Sequence, residues 1–467
     1  MVQKIVINKH FQLSLFAAFV MCCITAGLAT QQFVLFYIPF FTITVFLVLF
    51  RPVLVLPLFI LTFYIGIPLI SRTMFGVFTA DITFVLFGAA FFSRLFKSGD
   101  LSFQVPPTTM RITYILALLF IVSAFSILFN VQMKEGVNII VSVWYMVNLL
   151  QLIIVFLICS HEEIASTREQ CINLVLLLSI LEGIIASLQF FQTGYADVNT
   201  LRDVKGTFLT HHAMLGNMMV FSLAFCIYRL SITPPSFKRA IYFTGIALSL
   251  YVIVISSARS TLVGCVFALI VWLFITFKIS WKYITSLIMV GAVVVGLILF
   301  TPLYRIIIDT MANSNGTLLD VSSLGRILIW KGALQQFSEA PLINKFFGIG
   351  IGNYYTMKYS FQLIEGANIT SGAHNNFLHV LIETGIAGLA LFMLLFGVIL
   401  SALKKRASTD RLCLVLFYAT LALIFSGLTQ ETFWFQPAFC RFWLMYMVFL
   451  GFCVREKPDQ PSAMVPS

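Results

Sequence analysis

The chain has 467 residues, 60% of them hydrophobic and 10% charged, with a formal net charge of +11 and a mean hydropathy of +0.99. Soluble domains run nearer ~45–50% apolar and ~25% charged, so a water-soluble fold is excluded: too few charges would have to cover too much apolar surface. A β-barrel is excluded too, because barrel strands alternate apolar and polar while this chain has long unbroken apolar runs.

The expected fold is all-α, a polytopic transmembrane helical bundle of about 12–14 spans, since roughly 20 apolar residues cross the hydrocarbon core. Fourteen candidate runs follow one another: 11–29, 33–50, 53–70, 81–96, 112–130, 137–159, 170–191, 212–230, 240–257, 260–277, 283–301, 375–402, 411–428 and 433–453. The first run lacks a small-x-small cleavage site and reads as a retained first span. The runs 53–70 and 81–96 carry the weakest signal, and a re-entrant pair there reduces the count to twelve without changing the later orientation.

In a soluble protein +11 would suggest nucleic acid; here Lys and Arg belong in cytoplasmic loops by the positive-inside rule, and no nucleic-acid partner is expected. With the N-terminus inside, most of the 29 Lys and Arg residues fall on the cytoplasmic side. The expected organisation is eleven transmembrane helices in 1–301, a long extracytoplasmic loop with short helices in 302–373, the last three transmembrane helices in 374–453, and a cytoplasmic tail, 454–467. A loop of that length in a compact bundle is usually functional, and an amphipathic helix is expected around 324–337. The nine cysteines sit in or beside apolar runs without C-x-x-C spacing, so they read as small buried residues.

Four segments look chemical, and all map to the outer face. Arg202 and Lys205 precede the span at 212; ordinary loop charge is the simpler reading of both. Arg259 sits in a tight turn with Ser256, Ser257, Ser260 and Thr261. It reads as a lipid-phosphate anchor or as part of an anion pocket to which those hydroxyls contribute. Arg326 and Trp330 are one helical turn apart and share a face. Gly348, Gly350 and Gly352 read as a flexible turn offering N–H groups to an anion. His374 opens an apolar run and is the side chain best able to exchange a proton near neutral pH. Asn375 is its orienting partner or a helix cap. His379 and Glu383, four apart and deeper, are a satisfied pair or part of the site, as intramembrane ionisable residues generally are. No Asp-x-Asp, P-loop, HExxH or G-x-S-x-G is present. Arginines and a histidine without a metal motif point to a diphosphate held by guanidinium groups.

Five motifs stand in order: R-x-x-x-G-T-F at 202–208, S-x-x-R-S at 256–260, G-R-x-x-x-W at 325–330, G-x-G-x-G-N at 348–353 and H-N-x-x-L-x-x-x-x-E-x-G-x-x-G at 374–388. Together they resemble the O-antigen ligase and polymerase superfamily over roughly 195–430. The resemblance implies a membrane-embedded C-type glycosyltransferase in the bacterial inner membrane, with both termini cytoplasmic and the active site extracytoplasmic. It implies an undecaprenyl-diphosphate-linked glycan donor and, as acceptor, the lipid A core or another carrier-linked repeat unit, with membrane lipid around them and neither cofactor nor metal. It makes His374 the catalytic residue, and Arg259, Arg326 and Arg202 the diphosphate-binding ones. Lys205, Trp330, Asn375 and Glu383 are supporting candidates. After G-T-F this chain has Leu209-Thr210-His211-His212 where the family usually has asparagine–proline, so no role carries over to either histidine. The reading from another class is a transporter or lipid-linked glycan flippase, whose polar sites would lie nearer the midplane.

Overall fold

The computed structural model describes residues 55–64, 105–131, 139–161, 167–192, 212–256, 258–276, 321–354, 372–433 and 437–455, together with 84, 85, 88, 91, 164, 204 and 206. The expected spans at 11–29, 33–50 and 283–301, Arg202, Lys205 and the tail beyond 455 lie outside the described residues.

The described residues form helices and no strand. These are α1 (Val55–Tyr64), α2 (Pro107–Val131), α3 (Ile139–Cys159), α4 (Arg168–Gln192), α5 (His212–Ile232), α6 (Phe237–Ile255), α7 (Arg259–Thr276), α8 (Val321–Glu339), α9 (Leu342–Phe347), α10 (Asn376–Arg406), α11 (Arg411–Ser426) and α12 (Pro437–Val454). Among them α2 to α6 and α10 are long and apolar enough to cross a membrane, and parts of α7, α11 and α12 form shorter apolar helices. The chain is an all-α polytopic membrane protein, as its composition requires.

The boundaries follow local chemistry. Pro107 and Pro437 open α2 and α12, where the missing N–H costs nothing. Pro234 and Pro235 separate α5 from α6, and the Asp410 side chain caps α11 by accepting from the Leu412 N–H at 2.8 Å.

Apolar residues point outward at helical spacing: Tyr114, Leu118, Ile121, Phe125 and Leu128 on α2, and Leu177, Leu181, Ile184, Leu188 and Phe191 on α4, are all well exposed. Such stripes suit lipid and not water. Polar side chains face inward instead, including Asn148, Ser179, Glu182, Asn217, His379 and Glu383. Residues 440–454 of α12 are buried all round, and α12 packs against α3, α10 and α5 at the centre.

The bundle has two distinct ends. At one, Arg168 makes a bidentate pair with Asp410 at 2.7 and 3.0 Å, Arg229 pairs with Glu169 at 2.6 Å, and the Arg406 guanidinium donates to the Cys453 carbonyl at 2.9 Å. Lys404, Lys405 and Arg406 fill the last turn of α10 there. The opposite end gathers the starts of α5, α7 and α10 and the end of α11: Thr261 donates to Asn217 at 2.9 Å, and the Asn376 N–H donates to the Gly427 carbonyl at 2.8 Å.

Candidate functional site

α10 is not continuous. Gly385 adopts φ 68, ψ −168 inside it, which releases carbonyls of the preceding turn from helical bonding. The G-x-G-x-G-N segment fills the break: the Ile349 N–H donates to the Ile382 carbonyl at 3.0 Å and the Gly350 N–H to the Glu383 carbonyl at 3.1 Å. The Ser126 hydroxyl adds a second bond to the Glu383 carbonyl at 2.7 Å. Gly348, Gly350 and Gly352 all have positive φ, and a Cβ on Gly348 would collide with the backbone of Glu383 and Thr384. The expectation of a flexible anion-binding turn is therefore corrected. The N–H groups of Gly348, Ile349 and Gly350 donate within the protein, and the segment is a packed plug.

The half-helix of α10 before the break carries the polar cluster. Asn375 is a cap: its side chain accepts from the N–H groups of Phe377 and Leu378 at 2.9 and 3.0 Å. Of the two readings of Asn375, the cap is the one seen. With the Asn376 N–H bonded to Gly427, the first-turn donors are used internally.

His379 is fully buried. Its Nε2 lies 3.2 Å from Glu383 Oε1 and its Nδ1 3.1 Å from Glu431 Oε1. Glu383 Oε1 also accepts from the Tyr354 N–H at 2.9 Å, and the Tyr354 ring lies 4.5 Å from the His379 ring. Glu431, in the connection between α11 and α12, was missed from sequence. The available signal was a carboxylate wedged between two apolar runs. Burial pushes its carboxyl up, but hydrogen bonds and charge from His379, with the charge and N–H of His374, outweigh that and hold it at about 2.

His374 is half-buried and sits at φ 47, the positive-φ non-glycine among the described residues. Its N–H donates to Glu431 Oε1 at 3.0 Å. The Trp330 indole N–H donates to the Ala373 carbonyl at 2.7 Å, so the expected loop helix, present as α8, is tied to the residue before His374. Arg326 lies half-buried one turn earlier on that helix. Arg259 is the first residue of α7 and is exposed at the same end. The hydroxyls of Ser256 and Thr261, expected to line an anion pocket, instead donate to the Ile253 carbonyl at 3.2 Å and to Asn217 at 2.9 Å. In the first motif, Gly206 exchanges two hydrogen bonds with the Gln189 side chain at 2.8 and 2.9 Å, which docks that residue on the end of α4.

Residues 244–393 match the family model described as O-antigen ligase. The match spans 150 of the 467 residues and makes that stretch similar to O-antigen ligases. The resemblance to the O-antigen ligase and polymerase superfamily is borne out over these residues, and members of that family are membrane glycosyltransferases. The matched segment holds Arg259, Arg326, Trp330, His374, Asn375 and Glu383; Arg202 and Lys205 precede it and Glu431 follows it. No curated protein matches the sequence.

Proposed function

We propose that the protein transfers a glycan from an undecaprenyl-diphosphate carrier to an acceptor hydroxyl, on the lipid A core or on another carrier-linked repeat unit, at the outer face of the bacterial inner membrane. The supporting observation is the bond from Trp330 to the Ala373 carbonyl, which ties the helix bearing Arg326 to the turn bearing His374. That turn lies at the bundle end opposite Lys404, Lys405 and Arg406, and basic ends favour the cytoplasm.

His374 acts as general base and Arg259 and Arg326, assisted by Arg202, bind the donor diphosphate. The acceptor O–H bond breaks and its proton passes to the imidazole. The acceptor oxygen bonds to the anomeric carbon as the bond to the diphosphate breaks, and the electron pair leaves with the diphosphate. The guanidiniums stabilise that growing charge in the role a metal would otherwise fill. Attack from the face opposite the leaving group inverts the anomeric centre.

The test is purified protein in liposomes with undecaprenyl-diphosphate-linked oligosaccharide, and either a second carrier-linked unit or lipid A core as acceptor. The expected result is a longer glycan or a glycosylated core without added nucleotide. Movement of the glycan across the bilayer with no new covalent bond would overturn the reading in favour of a flippase.

A further inference from the structure

Among the buried titratable groups that the mechanism above leaves unassigned are Glu383, His379 and Glu431, each at most 3% exposed. One oxygen of this set, Glu431 Oε1, both accepts from the His374 N–H at 3.0 Å and faces His379 Nδ1 at 3.1 Å. We propose that Glu431 is a positioning residue for His374: it fixes the turn through the amide N–H, and its negative charge stabilises the imidazolium formed when His374 takes the acceptor's proton. The inference rests on His374 being the base.

Three observations carry it. First, the backbone strain and the bond coincide. A histidine at φ 47 persists only where its surroundings impose that conformation, and the N–H of that same residue is the one held by Glu431. Second, the charge lies close to the group it would stabilise. Both ring nitrogens of His379 face carboxylate oxygens, one of them Glu431 Oε1. Glu431 and His374 are within electrostatic reach of each other, in a site where little water screens the interaction. Third, the carboxylate is held through a chain of contacts. Glu431 Oε1 faces His379 Nδ1 on α10, the other ring nitrogen of His379 faces Glu383, and Glu383 accepts from the Tyr354 N–H; Tyr145 on α3 is within electrostatic reach of both glutamates, with Cys440 of α12 beside it. Of these neighbours only His379 can carry positive charge.

The charge acts on the proton-transfer step alone. As the acceptor O–H breaks, positive charge appears on the His374 ring, within electrostatic reach of Glu431. When that proton is later released to water, the ring returns to neutral and the turn is unchanged.

The test is diethyl pyrocarbonate labelling of the full-length protein in detergent, followed residue by residue by mass spectrometry across pH, since only neutral imidazole reacts. In Glu431→Gln the labelling midpoint of His374 should fall by roughly one pH unit, because an opposite charge has been removed. An unchanged midpoint overturns the proposal. Glu431→Asp, which keeps the charge on a shorter arm, should leave the midpoint near wild type and lower kcat about tenfold with little change in KM. Wild-type kcat in that variant overturns the positioning role, and remains decisive if the glutamine variant does not fold. The base reading is tested apart, by turnover of an undecaprenyl-diphosphate-linked oligosaccharide in His374→Ala: normal turnover sinks the base, whereas lost turnover with an unmoved Glu431→Gln midpoint sinks only Glu431.

Discussion

The indole N–H of Trp330 donates to the carbonyl of Ala373 across 2.7 Å, joining two motifs that are 43 positions apart in the chain. The bond restrains α8 relative to the His374 turn. Trp330→Phe keeps an aromatic ring and removes the donor. Its expected effect is a roughly tenfold loss of transfer, of the order of one hydrogen bond, with the melting temperature close to wild type. Full activity in the phenylalanine variant, measured by glycan product formation, would reduce Trp330 to packing.

The two arginines and the histidine should separate kinetically. His374→Ala removes the proposed base, for which a loss of ~10²–10⁴-fold in kcat is expected. Arg326→Ala and Arg259→Ala remove the proposed charge stabilisation on the leaving group, for which ~10²–10³-fold is expected. Arg326→Lys should recover only part of it, because an ammonium cannot make the bidentate contact of a guanidinium. Membrane insertion of all four variants should match wild type. Near-normal turnover in His374→Ala, read by gel shift of the glycan, would remove that residue from the chemistry.

Much of this architecture could be read in the chain because lipid imposes a simple rule. Apolar runs had to be helices, and they end close to where hydropathy ends: 112–130 became Pro107–Val131 and 170–191 became Arg168–Gln192. Arg259, Arg326 and His374 stood out because charge beside an apolar run is costly. Pairings across long stretches of chain were not legible. Run 375–402 gave no sign that Gly385 breaks the helix, because the break depends on Ile349 and Gly350 supplying donors to Ile382 and Glu383. Glu431 was hidden for the same reason: its partners, His374 and His379, lie more than fifty positions earlier. The glycines marked a turn, but their local pattern fits an anion cradle and a plug equally well, and only their neighbours decide.

The plug makes a sharp contrast within one helix. Gly385 has φ 68, and a Cβ there would strike the carbonyl of Phe346. Gly397 lies in the regular part of α10 with nothing within 4 Å of an added Cβ. Gly385→Ala should destabilise by about 2–3 kcal/mol or more, from positive-φ strain and collision together. Gly397→Ala should be neutral or stabilising by up to ~1 kcal/mol through helix propensity. Thermal unfolding in detergent, followed by size-exclusion fluorescence, checks both. Equal melting temperatures would mean that the break at Gly385 is not built into the fold.

Glu431 should leave a signature in acid. Its carboxyl is held at about 2 in the folded protein, below its value in an unfolded chain, so the native state prefers the deprotonated form. That contribution is fully present above the unfolded carboxyl range, near pH 4.5 and up, and is lost as pH falls toward 2. The melting temperature of the wild type should therefore drop across this interval, and Glu431→Gln, lower at neutral pH, should drop less. Parallel curves for the two proteins would assign the acid sensitivity elsewhere.

The far end of the bundle offers a control that should touch stability and spare chemistry. Asp410 does two jobs: it pairs with the Arg168 guanidinium at 2.7 and 3.0 Å and caps α11 through the Leu412 N–H at 2.8 Å. Both side chains are 21% exposed, so the ion pair is partly screened and its loss should cost only ~1 kcal/mol or somewhat more. Asp410→Asn keeps a capping oxygen and should lose that much. Asp410→Ala loses the cap as well, typically a further ~1 kcal/mol, and leaves the guanidinium without its carboxylate near Tyr228. The expected order of melting temperature is wild type, asparagine, alanine, with kcat unchanged at a temperature where all three are folded. A fall in kcat under those conditions would mean that the basic end is coupled to the His374 end through α10 or α11, the helices that run between them.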